Sequence, residues 1–332
     1  MRAVVITKHG GPEVLEVQER PDPAAGRGEV RIEVAASGIN FADVMARMGL
    51  YQDAPKTPCV VGYEVAGTVV EVGEGASGFS PGQRVLAGTQ FGGYASQVVV
   101  PAADVVALPD SLSFEQGAAV PVNYATAWAG LIGYGSLQPG ERVLIHSAGG
   151  GVGIAATQIA KRVGVEVVGT ASPGKHQRIL ELGVDRAVDY TSPGWDRGVG
   201  KFDVILDAVG GKSFRTSYSL LKPGGRLVAF GASAVVSGER RNIPTALKAV
   251  ARMPRFNILK QMAESKAVIS LNMLTLWKDR GTLRPWIDPL QEMLGDGTIA
   301  PVVAGAFPFE QTGAAQSMIV ERRNVGKVVL TP

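Results

Sequence analysis

The chain has 332 residues, of which 45% are apolar and 19% charged, with a formal net charge of +3 at pH 7. Its length suggests two domains with sizeable cores, and so small a net charge argues against a nucleic-acid partner. A single cysteine, Cys59, excludes an internal disulfide framework and a cysteine-rich zinc site.

The 43 glycines exceed the roughly 7% average and speak for tight turns and close backbone approaches, against a helical bundle. Residues 2–8, 15–19 and 29–36 are short β-rich runs, cut by Gly10-Gly11-Pro12 and by the Pro/Gly-rich stretch 21–28. Residues 40–48 read as a helix, with Phe41, Val44, Met45 and Met48 at helical spacing. Residues 64–72, 84–86 and 95–100 return to strand, punctuated by Gly73, Gly75, Gly78, Pro81 and Gly82, the pattern of an antiparallel barrel. The uncharged stretch 116–140 is long enough to span a membrane. Its five glycines, two prolines and Asn123 favour a buried helix with flanking loops instead. The apolar run at residues 3–6 is too short for a signal peptide, and a cytoplasmic location is expected.

From residue 141 strands and helices alternate. Strands are predicted at 142–147, 165–170, 186–190, 202–208 and 226–231, and helices at 153–163, 176–182 and 213–221. Parallel strands need crossover connections, so this alternation implies a doubly wound sheet. Residues 267–273 are expected to add its last strand, 274–296 to be mainly helical, and 302–330 to return to strand and helix.

The segment Ser147-Ala148-Gly149-Gly150-Gly151-Val152-Gly153 joins the first strand of this region to its helix. A dinucleotide fold needs a Cβ-free position facing the pyrophosphate and a small residue where helix meets strand, and Gly150 and Gly153 fill those roles. Ala148 stands where the first glycine is usual. N–H groups at the helix start would bind the pyrophosphate. An NAD site usually carries an acid about 20 residues on. Here that place reads Gly169-Thr170-Ala171-Ser172, followed by Lys175, His176 and Arg178. A hydroxyl with nearby cations suits a 2′-phosphate, so NADPH is the expected cofactor. Otherwise Lys175 and Arg178 are ordinary solvated helix residues.

The chain resembles the medium-chain dehydrogenase/reductase superfamily over nearly its whole length. The resemblance rests on Ser37-Gly38-Ile39-Asn40-Phe41-Ala42-Asp43, on Gly62-Tyr63-Glu64-Val65-Ala66-Gly67, on Phe79-Ser80-Pro81-Gly82-Gln83-Arg84-Val85, on the glycine loop, and on Asn324-Val325-Gly326-Lys327-Val328-Val329. Zinc alcohol dehydrogenases of that superfamily hold catalytic zinc with a Cys in the first motif and a His in the second. Asn40 and Tyr63 occupy those places here, so no metal is expected, and the chain is similar to the zinc-free quinone oxidoreductase branch. A finer similarity, to the vesicle amine transport protein 1 (VAT-1) group, rests on Gly231-Ala232-Ser233, Gly238-Glu239-Arg240-Arg241-Asn242 and Arg322-Arg323-Asn324-Val325-Gly326-Lys327.

The resemblance implies a GroES-like Gly-rich β domain from residues 1–122 and 271–332 and a Rossmann domain from residues 123–270, with the active site in the cleft between them. It implies hydride transfer to a small-molecule quinone or α,β-unsaturated carbonyl. Asn40, Tyr51 and Tyr63 are the catalytic candidates. Asn40 is otherwise the N-cap of the following helix, Tyr51 a pocket wall, and Tyr63 a structural residue. Thr126 would contact the nicotinamide side, and Gly150, Gly151, Val152 and Gly153 the pyrophosphate. Ser172, Lys175 and Tyr190 would hold the 2′-phosphate end, and Phe230 and Asn324 would close over the cofactor. His146 reads as a hydrogen-bonded structural histidine. A homodimer through the sheet edge near 267–273 is also implied.

The alternative is a membrane- or lipid-associated cofactor-binding protein with little turnover. Residues 240–260 carry Arg240, Arg241, Lys248, Arg252, Arg255 and Lys260 with no acid, beside Ile243, Leu247, Val250, Met253, Phe256 and Leu259. The favoured expectation is a solvated cationic face over an apolar face turned to the core, in helices shortened by Pro244 and Pro254.

Overall fold

The computed structural model describes residues 1–332. Its strands, in chain order, are β1 (Arg2–Ile6), β2 (Leu15–Glu19), β3 (Glu29–Gly38), β4 (Glu64–Val72), β5 (Arg84–Gly88), β6 (Gln97–Pro101), β7 (Val105–Ala107), β8 (Arg142–Ile145), β9 (Glu166–Ala171), β10 (Arg186–Asp189), β11 (Phe202–Asp207), β12 (Leu221–Ala229), β13 (Ala267–Ser270), β14 (Val303–Pro308) and β15 (Lys327–Thr331). The chain divides into two compact units. The first comprises Met1–Asn123, Ser237–Arg241 and Leu274–Pro332; the second comprises Tyr124–Val236 and Asn242–Met273.

In the first unit β1 and β2 pair antiparallel, and a seven-stranded sheet runs β14-β15-β3-β4-β5-β7, with β6 also on β3. Along β3 every second side chain, Val30, Ile32, Val34 and Ala36, is buried. Val30, Ile32 and Val34 join Val65 and Val69 of β4, Val85 of β5 and Val98 and Val100 of β6 in one core, as the two-residue period of a strand dictates. Gly67 of β4 lies opposite Val34 of β3, where a Cβ would stand 2.0 Å from the Glu33 carbonyl oxygen. The helix Phe41–Arg47 leaves the end of β3 and carries the first motif.

In the second unit six parallel strands run β10-β9-β8-β11-β12-β13. From β8 the chain winds one way through the helix Gly151–Val163 to β9, and later returns to β11 on the other side. The reversal between β8 and β11 is where a doubly wound fold binds its ligand. Leu144, Val168, Ile205 and Leu227 stack across the strands in the core, as expected for a sheet covered on both faces. The uncharged stretch forms the helix Pro121–Trp128 and a π-helical turn Ala129–Gly133, with Ala125, Ala127, Ala129 and Leu131 fully buried. No helix is long and apolar enough to cross a membrane.

Two expectations are corrected and a third is refined. The helix predicted over 213–221 ends at Ser219 and the strand predicted from 226 starts at Leu221, because Lys222 lies on the sheet and pairs with Asp203 at 2.7 Å. The stretch 274–296 is mainly helical as expected, in separate pieces Met273–Arg280, Arg284–Ile287 and Gln291–Gly295. Gly281 takes a φ of +72°, and Pro285 and Pro289 interrupt the backbone ladder. The basic segment forms helices Ile243–Ala251 and Ile258–Glu264 with their larger apolar side chains outward. Leu247, Ile258, Leu259 and Met262 are 64–71% exposed. The segment is anchored by smaller or flanking groups instead: Ala249 is buried and Phe256 stacks on Tyr218 at 5.3 Å.

Candidate active site

In the first unit the helix Phe41–Arg47 and the start of β4 bring their polar residues together. Asp43 is fully buried and accepts from the Asn40 N–H (2.7 Å), the Gly62 N–H (3.0 Å) and the Tyr94 hydroxyl (2.9 Å). One carboxylate thus ties the two sequence motifs to each other. Burial pushes its pKa up to about 7. Four residues on, Arg47 is also fully buried. Its guanidinium donates to Gln316 Oε1 (2.7 Å) and to the carbonyls of Gly10 and Glu239, and burial pulls its pKa down to about 10.

The Asn40 amide is held at both ends. Its Nδ2 donates to Glu64 Oε1 at 3.0 Å, and its Oδ1 accepts from Lys327 Nζ at 2.7 Å. Lys327 Nζ also donates to Glu64 Oε1, and Glu64 Oε2 accepts from the Val122 N–H at 2.7 Å. Glu64 and Lys327 are both buried. Asn40 begins its helix as expected, yet its side chain belongs to this ionic cluster.

Tyr51 and Tyr63 meet edge to face with ring centroids 6.5 Å apart, and Phe91 lies 5.1 Å from Tyr63. The Tyr63 hydroxyl is buried, with the Tyr51 hydroxyl as its polar neighbour. Burial raises the pKa of both phenols, with Asp53 adding to the effect at Tyr51 and Asp43 at Tyr63. Asn324 lies in the turn before β15, where its amide donates to the Gly326 carbonyl at 2.9 Å.

The second unit gathers its candidates at the carboxyl ends of the parallel strands. Beyond β8, Gly150 begins the helix Gly151–Val163 with no side-chain cap. The N–H groups of its first turn, from Gly151, Val152 and Gly153, are therefore the unsatisfied donors an anion would meet. A Cβ at Gly153 would stand 2.4 Å from the Ser147 carbonyl oxygen and 2.7 Å from Ala148 Cα, so only glycine fits. Beyond β9 come Ser172 and Lys175; a Cβ at Gly149 would lie 3.3 Å from Lys175 Cδ, so this side chain runs beside the glycine turn. Asp189 pairs in register with Ala171, which puts Tyr190 and Ser172 one step past the same sheet edge. Asp189 itself accepts from the Thr191 and Ser192 hydroxyls, at 2.6 and 2.7 Å, and so is turned into its own loop. Phe230 follows β12 and donates its N–H to the Asp207 carbonyl. Thr126 is buried in the helix Pro121–Trp128.

His146, just past β8, has Nδ1 3.1 Å from Thr170 Oγ1 and Nε2 3.0 Å from Ser217 Oγ. Ser217 donates to Asp207 at 2.7 Å, so its oxygen accepts from Nε2–H and the Thr170 hydroxyl donates to Nδ1. Burial lowers the His146 pKa and keeps the ring neutral. The histidine is hydrogen-bonded, as read from the sequence.

Sequence reasoning assigned no role to Asp43, Arg47, Glu64 or Lys327. The available signal was a charged residue embedded in an apolar run, as in Gly326-Lys327-Val328-Val329. No group of three or more His, Cys, Asp or Glu side chains is arranged to hold a metal ion. The residues at the superfamily's zinc position do not fit that ion. Asn40 and Tyr63 are poor ligands, and the cation already against Glu64 is the Lys327 ammonium.

Residues 26–110 match the family described as alcohol dehydrogenase GroES-like domain, and residues 182–330 the family described as zinc-binding dehydrogenase. The human synaptic vesicle membrane protein VAT-1 homolog is 35% identical over 340 residues, covering 100% of this chain and 86% of that protein. The quinone oxidoreductase of Thermus thermophilus, solved alone and with NADPH, is 34% identical with a TM-score of 0.81 and full coverage of both chains. The CurK enoyl reductase is 26% identical with a TM-score of 0.86, covering 99% of this chain and 98% of that one. With two units of the expected architecture and similarity along its whole length, the chain belongs to the medium-chain dehydrogenase/reductase superfamily of oxidoreductases, among the VAT-1 homologs and quinone oxidoreductases.

Proposed function

We propose that the chain is a zinc-independent, NADPH-dependent reductase that delivers hydride to a quinone or an α,β-unsaturated carbonyl. The observation that carries this reading is the sheet edge beyond β8 and β9. An uncapped glycine turn there stands beside Lys175, and no carboxylate ends β9. The Gly151, Val152 and Gly153 N–H groups suit a pyrophosphate, and Ser172, Lys175 and Tyr190 suit a 2′-phosphate. That the Thermus relative was solved with NADPH supports the same choice. Thr126, Phe230 and Asn324 are assigned to the remaining cofactor contacts.

The bound nicotinamide supplies the hydride. The chain's own task is to orient the acceptor, exclude water and stabilise charge developing on the acceptor oxygen. With their pKa values raised, Tyr51 and Tyr63 stay protonated at neutral pH and can donate hydrogen bonds to that oxygen. Asn40 keeps one Nδ2 hydrogen for a ligand after its bond to Glu64. Measuring NADPH consumption against quinones, enones and enals tests the reading. Turnover with none of them overturns it. Stoichiometric zinc together with chelator-sensitive activity would overturn the zinc-independent part. β13 closes one side of its sheet and leaves an edge open, where we place a homodimer contact, testable by light scattering.

A second reading has its own observation. Six of the nine large exposed apolar side chains lie at residues 243–262, beside exposed Arg240, Arg241, Lys248, Arg252, Arg255 and Lys260. An apolar patch rimmed by cations suits an anionic lipid surface. Sedimentation with phosphatidylserine vesicles but not phosphatidylcholine vesicles would support it, and binding to neither would end it.

A further inference from the structure

We infer that Lys327 is a positioning residue: its buried ammonium, paired with Glu64, fixes the orientation of the Asn40 amide toward the substrate. This rests on the reading of Asn40 as part of the reductase site. The ammonium lies against both Asn40 Oδ1 and Glu64 Oε1, and Glu64 Oε1 in turn accepts from Asn40 Nδ2. These three bonds form a closed ring in which the amide cannot flip without setting its N–H₂ against the ammonium and its carbonyl against the carboxylate.

The surroundings are built for this ring. Lys327 and Glu64 have 3% and 0% of their side-chain surface exposed, so water is a poor substitute for either partner. The second carboxylate oxygen is taken by the Val122 N–H. Space for the ring comes from Gly38. A Cβ there would stand 2.7 Å from both Lys327 Cε and Glu64 Oε1, and 2.5 Å from the Ala118 carbonyl oxygen. From below, the Asn40 N–H is anchored on Asp43. What remains of the Asn40 amide for a ligand is one Nδ2 hydrogen, in a fixed direction. A surface amide would have to select that orientation each time substrate binds, and pre-setting it lowers the barrier to reaction.

Lys327→Met alone would strand a buried carboxylate, so the test uses Lys327→Met/Glu64→Gln, which removes both charges together. Turnover with NADPH and a quinone is compared in four proteins: wild type, this double variant, Asn40→Ala, and the three changes combined. If Lys327 acts through Asn40, the double variant and Asn40→Ala each lower kcat by roughly tenfold with the KM for NADPH unchanged, and the combination loses nothing further. Losses that multiply, or a fully active double variant, overturn the inference. A second measurement needs no turnover. In wild-type protein labelled with ¹⁵N-asparagine, assigned by its loss in Asn40→Ala, the two Asn40 Nδ2 protons should be widely separated and slow to exchange. A degenerate, rapidly exchanging pair overturns the inference. If wild type reduces no acceptor, the proposed reaction has failed while this spectrum still decides the positioning.

Discussion

The two units bury polar groups in opposite ways. The first buries ionisable side chains, with Asp43, Arg47, Glu64 and Lys327 all at most 3% exposed. The second relies on neutral groups and backbone. His146, Thr170 and Ser217 are buried beside one carboxylate, Asp207, which takes the N–H groups of Val209 and Gly210 and two serine hydroxyls. On the proposed function, the contrast follows from what each unit has to hold. A helix start offers its own N–H groups to an anion, so glycines suffice. Directing individual side chains at a reacting centre takes a scaffold of partners. Buried charges make a specific one, because each misplaced partner leaves a charge unsatisfied.

The comparison breaks first at Gly153. Gly153→Val drives side-chain atoms into the backbone of Ser147 and Ala148. NADPH affinity, followed by cofactor fluorescence, should fall on the order of 100-fold, with the Asn40–Glu64–Lys327 cluster of the first unit untouched. Next is Lys175→Ala. Removing a charge-assisted bond to a 2′-phosphate should weaken NADPH by about 1–3 kcal/mol and leave NADH nearly unchanged. Dissociation constants for both cofactors check it, and tighter binding of NADH by the wild type would contradict the cofactor choice.

Tyr51→Phe probes the first unit. Loss of one oxyanion donor elsewhere costs roughly 10²–10³ in rate. About a tenfold fall in kcat is expected here, since the neighbouring Tyr63 hydroxyl remains, with NADPH affinity unchanged. A rise in KM alone would make Tyr51 a binding wall.

The smallest effect is one of sign in the pH dependence of stability. Asp43, with its pKa raised to about 7, retains a proton in the folded chain that the unfolded chain has already released. Its contribution therefore makes stability fall as pH rises from the ordinary carboxylate range to about 7, and is flat above. His146 runs the other way. Its pKa is lowered by burial, so its contribution is present above the ordinary imidazole range and lost as pH falls through it. Urea midpoints between pH 5 and 8 should respond in opposite directions to Asp43→Asn and His146→Gln. Parallel responses would mean that one of the two groups is not held as described.

How much was legible differs between the units for the same reason. The glycine turn is local. Seven consecutive residues carry the spacing, and the helix Gly151–Val163 and β8 on either side follow from their own periodicity. The ionic ring is not local. Lys327 reaches Asn40 across 287 positions and Glu64 across 263, and Arg47 reaches Gln316 across 269. No window of sequence contains both ends of such a pair. The motifs around Asn40 and Tyr63 were readable, as was the absence of Cys and His at those two positions, but the cation that stands against Glu64 was not.

The sequence by itself determined the alternation of strand and helix, the barrel-like and doubly wound regions, and the anion-ready helix start, because hydrophobic period and glycine position act over a few residues. Tertiary structure alone decided which polar residues became partners. It also decided which face of an amphipathic helix met the core. The helix Ile243–Ala251 could have buried Ile243, Leu247 and Val250; it buries Ala249 and leaves those three outward. Amphipathicity is a property of one helix, whereas burial depends on what the rest of the chain brings against it.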